Sequence, residues 1–169
     1  RLTGARCRSG PRGETTDVAT TQQWIGGARP RTLPNISIDR KQVITSSEAM
    51  TLPSLPASMV VIGAGAIGVE FAYFYNAFGT KVTVVEMVDR ILPLEDADIS
   101  KAAQKIFEKQ GITFRTGWGT KAIEKTGKGA KVTLESAADK KTETIATSPS
   151  RISSAVSVIP FNLMSCISM

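Results

Sequence analysis

Residues 60–86 read VVIGAGAIGVEFAYFYNAFGTKVTVVE, and the order of residue types in this stretch decides the fold. The run Met59–Ile62 is apolar and β-branched without polar alternation, the pattern of a strand covered on both faces, as in a parallel sheet. Three glycines follow at two- and three-residue spacing: Gly63, Gly65 and Gly68. A helix is expected from about Ala64 to Phe78, with Gly79 as its C-terminal stop. Lys81–Glu86 (KVTVVE) then reads as a second strand that closes on an acid.

A G-x-G-x-x-G run taken alone is weak evidence, because glycine is common and many matches lie in loops. Its context makes it informative here. Gly63 ends the strand and can make a tight turn, and Gly65 has no side chain to block an approaching pyrophosphate. Gly68 falls inside the helix, where glycine costs ~1 kcal/mol relative to alanine; close packing of helix on strand supplies a reason for it. Phosphates would sit at the helix N-terminus, around Ala66 and Ile67, where unpaired N–H groups and the positive end of the helix dipole favour anions. Glu86 stands eighteen residues after Gly68, close to the spacing of the acid that accepts hydrogen bonds from ribose hydroxyls. A carboxylate there repels the 2′-phosphate of NADP; Arg90, with Asp89 beside it, is the nearby cation. The competing reading has the glycines merely packing helix on sheet, with Glu86 a solvated strand end. Spacing alone does not separate NAD from FAD, since both bind through this unit.

Outward from the motif, Asp96 or Asp98 can cap a helix with Ile99, Ala102, Ala103, Ile106 and Phe107 at helical spacing and Gly111 just past its end. Residues 112–116 (ITFRT) give a third strand, and alternating β-α-β-α-β order favours a doubly wound parallel sheet. Beyond Gly119, short alternating runs at 121–125, 131–135 and 141–145 are separated by GKG and AADK turns, which predicts a three-stranded antiparallel meander. The fold class is therefore α/β, a Rossmann-like parallel sheet with a three-stranded antiparallel β-meander. Residues 26–34 (GGARPRTLP) and the segment fenced by Pro53 and Pro56 are connectors. Residues 1–25 form a lead segment poor in apolar residues, 26–146 one domain, and 147–169 a Ser-rich tail in which only 152–159 (ISSAVSVI) can be a strand.

The net charge of +6 is unevenly spread. Residues 1–41 carry eight basic against three acidic side chains, 42–99 two against seven, and 100–169 eleven against five. The glycine-bearing centre is acidic, and Lys101, Lys105 and Lys109 recur every four residues without interleaved aromatics, a solvated helix face rather than a nucleic-acid platform. No apolar run reaches the ~18 residues needed to cross a bilayer, so the chain reads as soluble and no membrane partner is expected. Cys7 and Cys166 are the only cysteines, without metal or redox spacing, and histidine is absent. No metal site and no catalytic residue is expected, and a reducing compartment fits, cytoplasm or mitochondrial matrix. Tyr73, Phe74, Tyr75 and Phe78 read as core within one helix, and Glu70 as a solvated or paired helix charge. The chain begins at Arg1 and reads as a piece of a longer protein.

The stretches GGARPRTLP, TSSEAMTLPSLPASMVVIGAGAIGVEFA and GTKVTVVEMVDRILPLEDADISKAAQKIFEKQGI together resemble the NAD-binding region of the flavin-dependent pyridine nucleotide-disulfide oxidoreductases, in particular their dihydrolipoamide-oxidising branch. The resemblance runs from about Gly26 to Ala146. It implies that the central glycine motif serves NAD(H), while a separate motif in the full-length parent serves FAD. It implies a set of cofactor-binding residues, Gly63, Gly65, Ala66, Ile67, Gly68, Glu70 and Glu86, with Glu70 near the nicotinamide and flavin and paired to a lysine of the FAD domain. It also implies a parent reaction in which dihydrolipoamide is oxidised by NAD through a redox disulfide and FAD.

The sequence departs from that family at both ends. TTQQWIGG stands where an apolar strand and Ala-Thr-Gly are usual, and Ser157 stands where a closing strand carries glycine. The FAD fingerprint, the C-x4-C pair and the His-Glu pair of the dimerisation domain have no counterpart in these residues. The expected partners are thus NAD(H) and the parent's FAD and dimerisation domains, and the chain alone is expected to be inactive. The alternatives are a non-catalytic nucleotide-binding module or truncated product, and a related flavin-dependent reductase with another substrate.

Overall fold

A computed structural model of the chain describes residues 36–126 and 129–147, together with strands at Cys7–Arg8, Thr15–Thr16 and Ala155–Val158. The turn chemistry at 26–34, Trp24 and most of the two flanks lie outside the described residues. The chain divides into two compact units, one of Arg1–Arg29 with Leu163–Met169 and one of Pro30–Asn162. In the first, β1 (Cys7–Arg8) pairs antiparallel with β2 (Thr15–Thr16).

The second unit is built on a parallel sheet. Its elements in chain order are β3 (Val43–Ile44), α1 (Ser46–Ala49), β4 (Ser58–Ile62), α2 (Ala66–Ala77), β5 (Lys81–Glu86), α3 (Ala97–Lys109), β6 (Thr113–Thr116), β7 (Trp118–Thr126), β8 (Gly129–Ser136), β9 (Thr142–Ala146) and β10 (Ala155–Val158). The sheet order is β3-β10-β4-β5-β6, with all neighbours parallel. β4, β5 and β6 are the three strands legible in the sequence. β10 falls within the one tail segment that could be a strand, and it slots between β3 and β4.

Side-chain alternation sorts the core into two faces. Met59 and Val61 of β4, with Val82 and Val84 of β5, meet Val69, Ala72 and Tyr75 of α2 and Ala103 and Phe107 of α3. Val60, Ile62 and Val85 point the other way, onto Val132 and Leu134 of β8, with Trp118, Ile123 and Ile145 packed alongside. Both crossover helices therefore lie on one face, and the antiparallel sheet β7-β8-β9 covers the other, in place of the helices a doubly wound sheet carries there. Gly117, at φ +76, turns the chain from β6 into this meander, and its N–H donates to the Val88 carbonyl at 2.7 Å.

One expectation about the helices is corrected. Of the α2 aromatics only Tyr75 is core, at 1% exposure, whereas Phe74 is 49% exposed and Tyr73 and Phe78 are also exposed. A helix lying on a sheet buries one stripe, and Val69, Ala72 and Tyr75 fill it. On α3, Ile99 and Ile106 are 58% and 56% exposed, while Ser100 is buried and Phe107 half-buried. The apolar stripe is wider than the strip of sheet beneath it. No helix among the described residues is long and apolar enough to cross a membrane.

Tyr75 also carries a buried polar link: its hydroxyl donates to the carbonyl of Ala49 at the end of α1, and burial pushes its pKa up. Tyr75→Phe leaves that carbonyl without its donor, a loss of ~1–3 kcal/mol for a buried group. A urea titration is expected to show a lower midpoint at unchanged slope, the sign of lost stability with compactness preserved.

Candidate functional site

The site is built where β4 gives way to α2. Gly63 holds φ at +102, a left-handed conformation that costs a side-chain-bearing residue dearly. Its N–H donates to Val85 O at 2.8 Å, extending the ladder between β4 and β5 by one bond. Gly68 is required for a different reason. A Cβ there would lie 2.0 Å from the Gly63 carbonyl oxygen and 3.0 Å from its carbon, so α2 sits on the turn at a distance only glycine permits.

Gly65 has neither constraint. It is the N-cap of α2 in extended backbone, φ −70 and ψ 177, and an added Cβ would meet nothing within 4 Å. No side chain caps α2 and no acid sits in its first turn, whereas Glu48 accepts the Thr45 N–H ahead of α1 and Asp96 accepts the Asp98 N–H at the start of α3. The first backbone bond of α2 runs from Val69 N–H to Gly65 O, which leaves the N–H groups of Ala66, Ile67 and Gly68 without partners inside the helix. Ala66 is exposed and Ile67 half-buried against the core.

Glu86, at the end of β5, reaches the same turn. One carboxylate oxygen accepts the Ala64 N–H at 2.7 Å and the other accepts the Val88 N–H at 3.1 Å. Arg90 is turned away into its own loop, where the guanidinium donates to Pro93 O at 3.1 Å; it makes no ion pair with Asp89 among the described residues. Glu70 lies on α2, exposed, without an ion pair among the described residues.

Sequence reading missed a recess of about 300 Å³ beside the end of β5, lined by Met87 and by Gly119, Thr120, Lys121, Glu135 and Lys140 of the meander. The Thr120 hydroxyl is itself buried and has no hydrogen-bond partner among the described residues. Glu135 holds Lys121 at 2.7 Å and Lys140 at 3.7 Å. The hydrogen bond from Lys121, followed by the two ammonium charges, lowers the Glu135 pKa. These residues come together only through strand pairing, and no spacing in the sequence marks them. Among the described residues no group of His, Cys, Asp and Glu is arranged to hold a metal.

Residues 58–141 match the pyridine nucleotide-disulphide oxidoreductase family. The chain is 47% identical over 107 residues to a dihydrolipoyl dehydrogenase of Bacillus subtilis, covering 62% of this chain and 23% of that protein. It is 43% identical over 134 residues to a dihydrolipoamide dehydrogenase of Chaetomium thermophilum, covering 79% and 27%. Among solved structures, the HOCl-induced flavoprotein disulfide reductase RclA of Escherichia coli superposes with a TM-score of 0.65 at 27% identity, covering 80% of this chain and 28% of that one. The chain belongs to the pyridine nucleotide-disulphide oxidoreductase family. It spans about a quarter of the length of the curated relatives it matches.

The separate demands on the glycines can be tested without any ligand. Gly68→Ala forces helix and turn apart and is expected to cost at least the ~1–3 kcal/mol of an overpacked contact, despite alanine's better helix propensity. Gly65→Ala is expected to stay within ~1 kcal/mol, the range for exchanges at an N-cap. Paired denaturant melts of the two variants check the ordering.

Proposed function

We propose that the chain is the NAD(H)-binding part of a dihydrolipoyl dehydrogenase-like flavoenzyme. The observation that carries this reading is Gly65, a glycine demanded by neither backbone angle nor space inside the protein, with open room where a side chain would stand. A glycine of that kind is explained by something that comes against the backbone from outside, and the pyrophosphate of a dinucleotide has the charge that the uncapped N–H groups of Ala66, Ile67 and Gly68 favour. Glu86 completes the fit. A carboxylate has about four acceptor positions, and two are used by Ala64 and Val88, so it retains capacity for the ribose hydroxyls. Its negative charge disfavours a 2′-phosphate, which selects NAD(H) over NADP(H).

The domain that does this is residues 26–146, completed by β10 from the 147–169 tail, which inserts between β3 and β4, with 1–25 as a lead segment. Glu70, exposed and without an ion pair among the described residues, is suited to a lysine from another part of the parent. When bound, NAD(H) supplies the hydride chemistry; this chain's residues grip its phosphates and ribose. In the parent, dihydrolipoamide would pass electrons through a disulfide and FAD to NAD. The identity of 47% and 43% to dihydrolipoyl dehydrogenases supports that substrate for the parent. The sequence has one dinucleotide motif and no histidine, so FAD and the thiol chemistry belong to the remainder of the parent.

Fluorescence transfer from protein to bound nicotinamide measures the affinities. NADH is expected to bind more tightly than NADPH by at least ~1.4 kcal/mol, a factor of ten, and Glu86→Ala to narrow the gap; equal affinities in the unaltered chain overturn the ribose assignment. Gly65→Val is expected to abolish NADH binding with the circular dichroism unchanged. Once NADH binding is established, the chain supplied with FAD and lipoamide is expected to oxidise NADH no faster than a protein-free control.

A further inference from the structure

The segment after β5 encircles one residue of the glycine turn. Ala64, between Gly63 and Gly65, has a fully buried side chain in the core shared with Ile91. Its N–H is taken by Glu86 at 2.7 Å and its carbonyl by the N–H of Leu92 at 2.7 Å. Both backbone groups of this residue are thus bound by residues 86–92, one at each end of the loop that follows β5. The second Glu86 oxygen, on the Val88 N–H at 3.1 Å, fixes the carboxylate to the base of that loop.

From this we infer that Glu86 is a positioning residue for the pyrophosphate cradle as well as a group facing ribose: its carboxylate clasps the Gly63–Gly65 turn in its open shape before any nucleotide arrives. The inference rests on the nucleotide reading above and adds a second route by which Glu86 affects binding. The chemistry favours a carboxylate over an amide in this role. Two N–H donors converge on one side chain, and an ionised carboxylate accepts both with charge-assisted bonds, whereas an amide brings one acceptor and one donor. The Ala64 N–H is also withheld from the ligand, so the anion meets only the N–H groups at the start of α2. Without the carboxylate, the turn keeps the bond of the Ala64 carbonyl to Leu92 and the bond of the Gly63 N–H to Val85 O but loses the side-chain clasp of Glu86, and the unpaired Ala64 N–H draws the middle of the turn out of shape.

Two measurements on the full chain separate this role from ribose recognition. In the unliganded protein, amide hydrogen exchange at Ala64 is expected to be faster in Glu86→Ala by roughly tenfold or more, the size of one charge-assisted bond, while the Val61 amide in β4 stays protected and reports an intact fold. Unchanged exchange at Ala64 overturns the clasp. The second probe is an NAD analogue lacking both hydroxyls of the adenosine ribose. If Glu86 acts only on ribose, Glu86→Ala leaves the analogue's affinity unaltered, and that result overturns the positioning role. The expected result is a several-fold loss, with Glu86→Gln also weakened because it cannot accept both N–H groups. Failure of the unaltered chain to bind NADH would be a failure of the nucleotide reading, and the exchange measurement then still decides the clasp.

Discussion

The approach of α2 to the turn that precedes it sets the geometry of the whole unit. The space between Gly68 and the Gly63 carbonyl is too small for even one methyl group, at a hypothetical 2.0 Å. Glycine there lets the helix lie down at once after β4, with Val69, Ala72 and Tyr75 falling onto Met59, Val61, Val82 and Val84. The same placement aims the start of α2 at the ends of β4 and β5, where the Glu86 carboxylate already sits. A residue of any size at 68 would lift the helix from the sheet and carry its N-terminus away from that acid.

The two sides of the sheet divide the work. The helix side supplies most of the core, including the Tyr75 hydroxyl bond that fastens α1. The meander side brings Arg115 of β6 within 3.1 Å of Glu143 on β9, and it places Thr120, Lys121 and Glu135 in a recess next to Met87. The glycine turn and this recess both border the end of β5. Strand ends in a parallel sheet are natural ligand sites because loops converge there while the strands stay fixed. Family membership agrees with this arrangement, and the chain spans about a quarter of the length of the curated relatives it matches.

The exposed apolar residues mark where sequence pattern and folded surface part. Tyr73 and Phe107 rings approach to 6.2 Å and join α2 to α3, yet Tyr73, Phe74, Phe78, Ile99 and Ile106 face outward. Helical periodicity registers that a residue is apolar and on a given stripe. It carries no information on how broad a strip of sheet lies beneath, so every apolar residue of a wide stripe reads as core.

Much of the unit was legible in residue order. The β4-α2-β5-α3-β6 succession, the meander and a cap at Asp96 or Asp98 follow from period, turn residues and capping chemistry, all local properties of the chain, and the structure settles the cap on Asp96. The reasons for Gly63 and Gly68 were legible too, because a positive φ and a close helix contact are what glycine at those positions is for. Contacts between distant segments were decided only by the tertiary structure. The insertion of β10 between β3 and β4, the choice of meander over helix for the second face, and the recess at Met87 each join residues far apart in sequence. The hydrogen bond from Ala64 to Glu86 spans twenty-two positions, and no local preference encodes it; it exists because parallel pairing of β4 with β5 brings the end of one strand beside the end of the other.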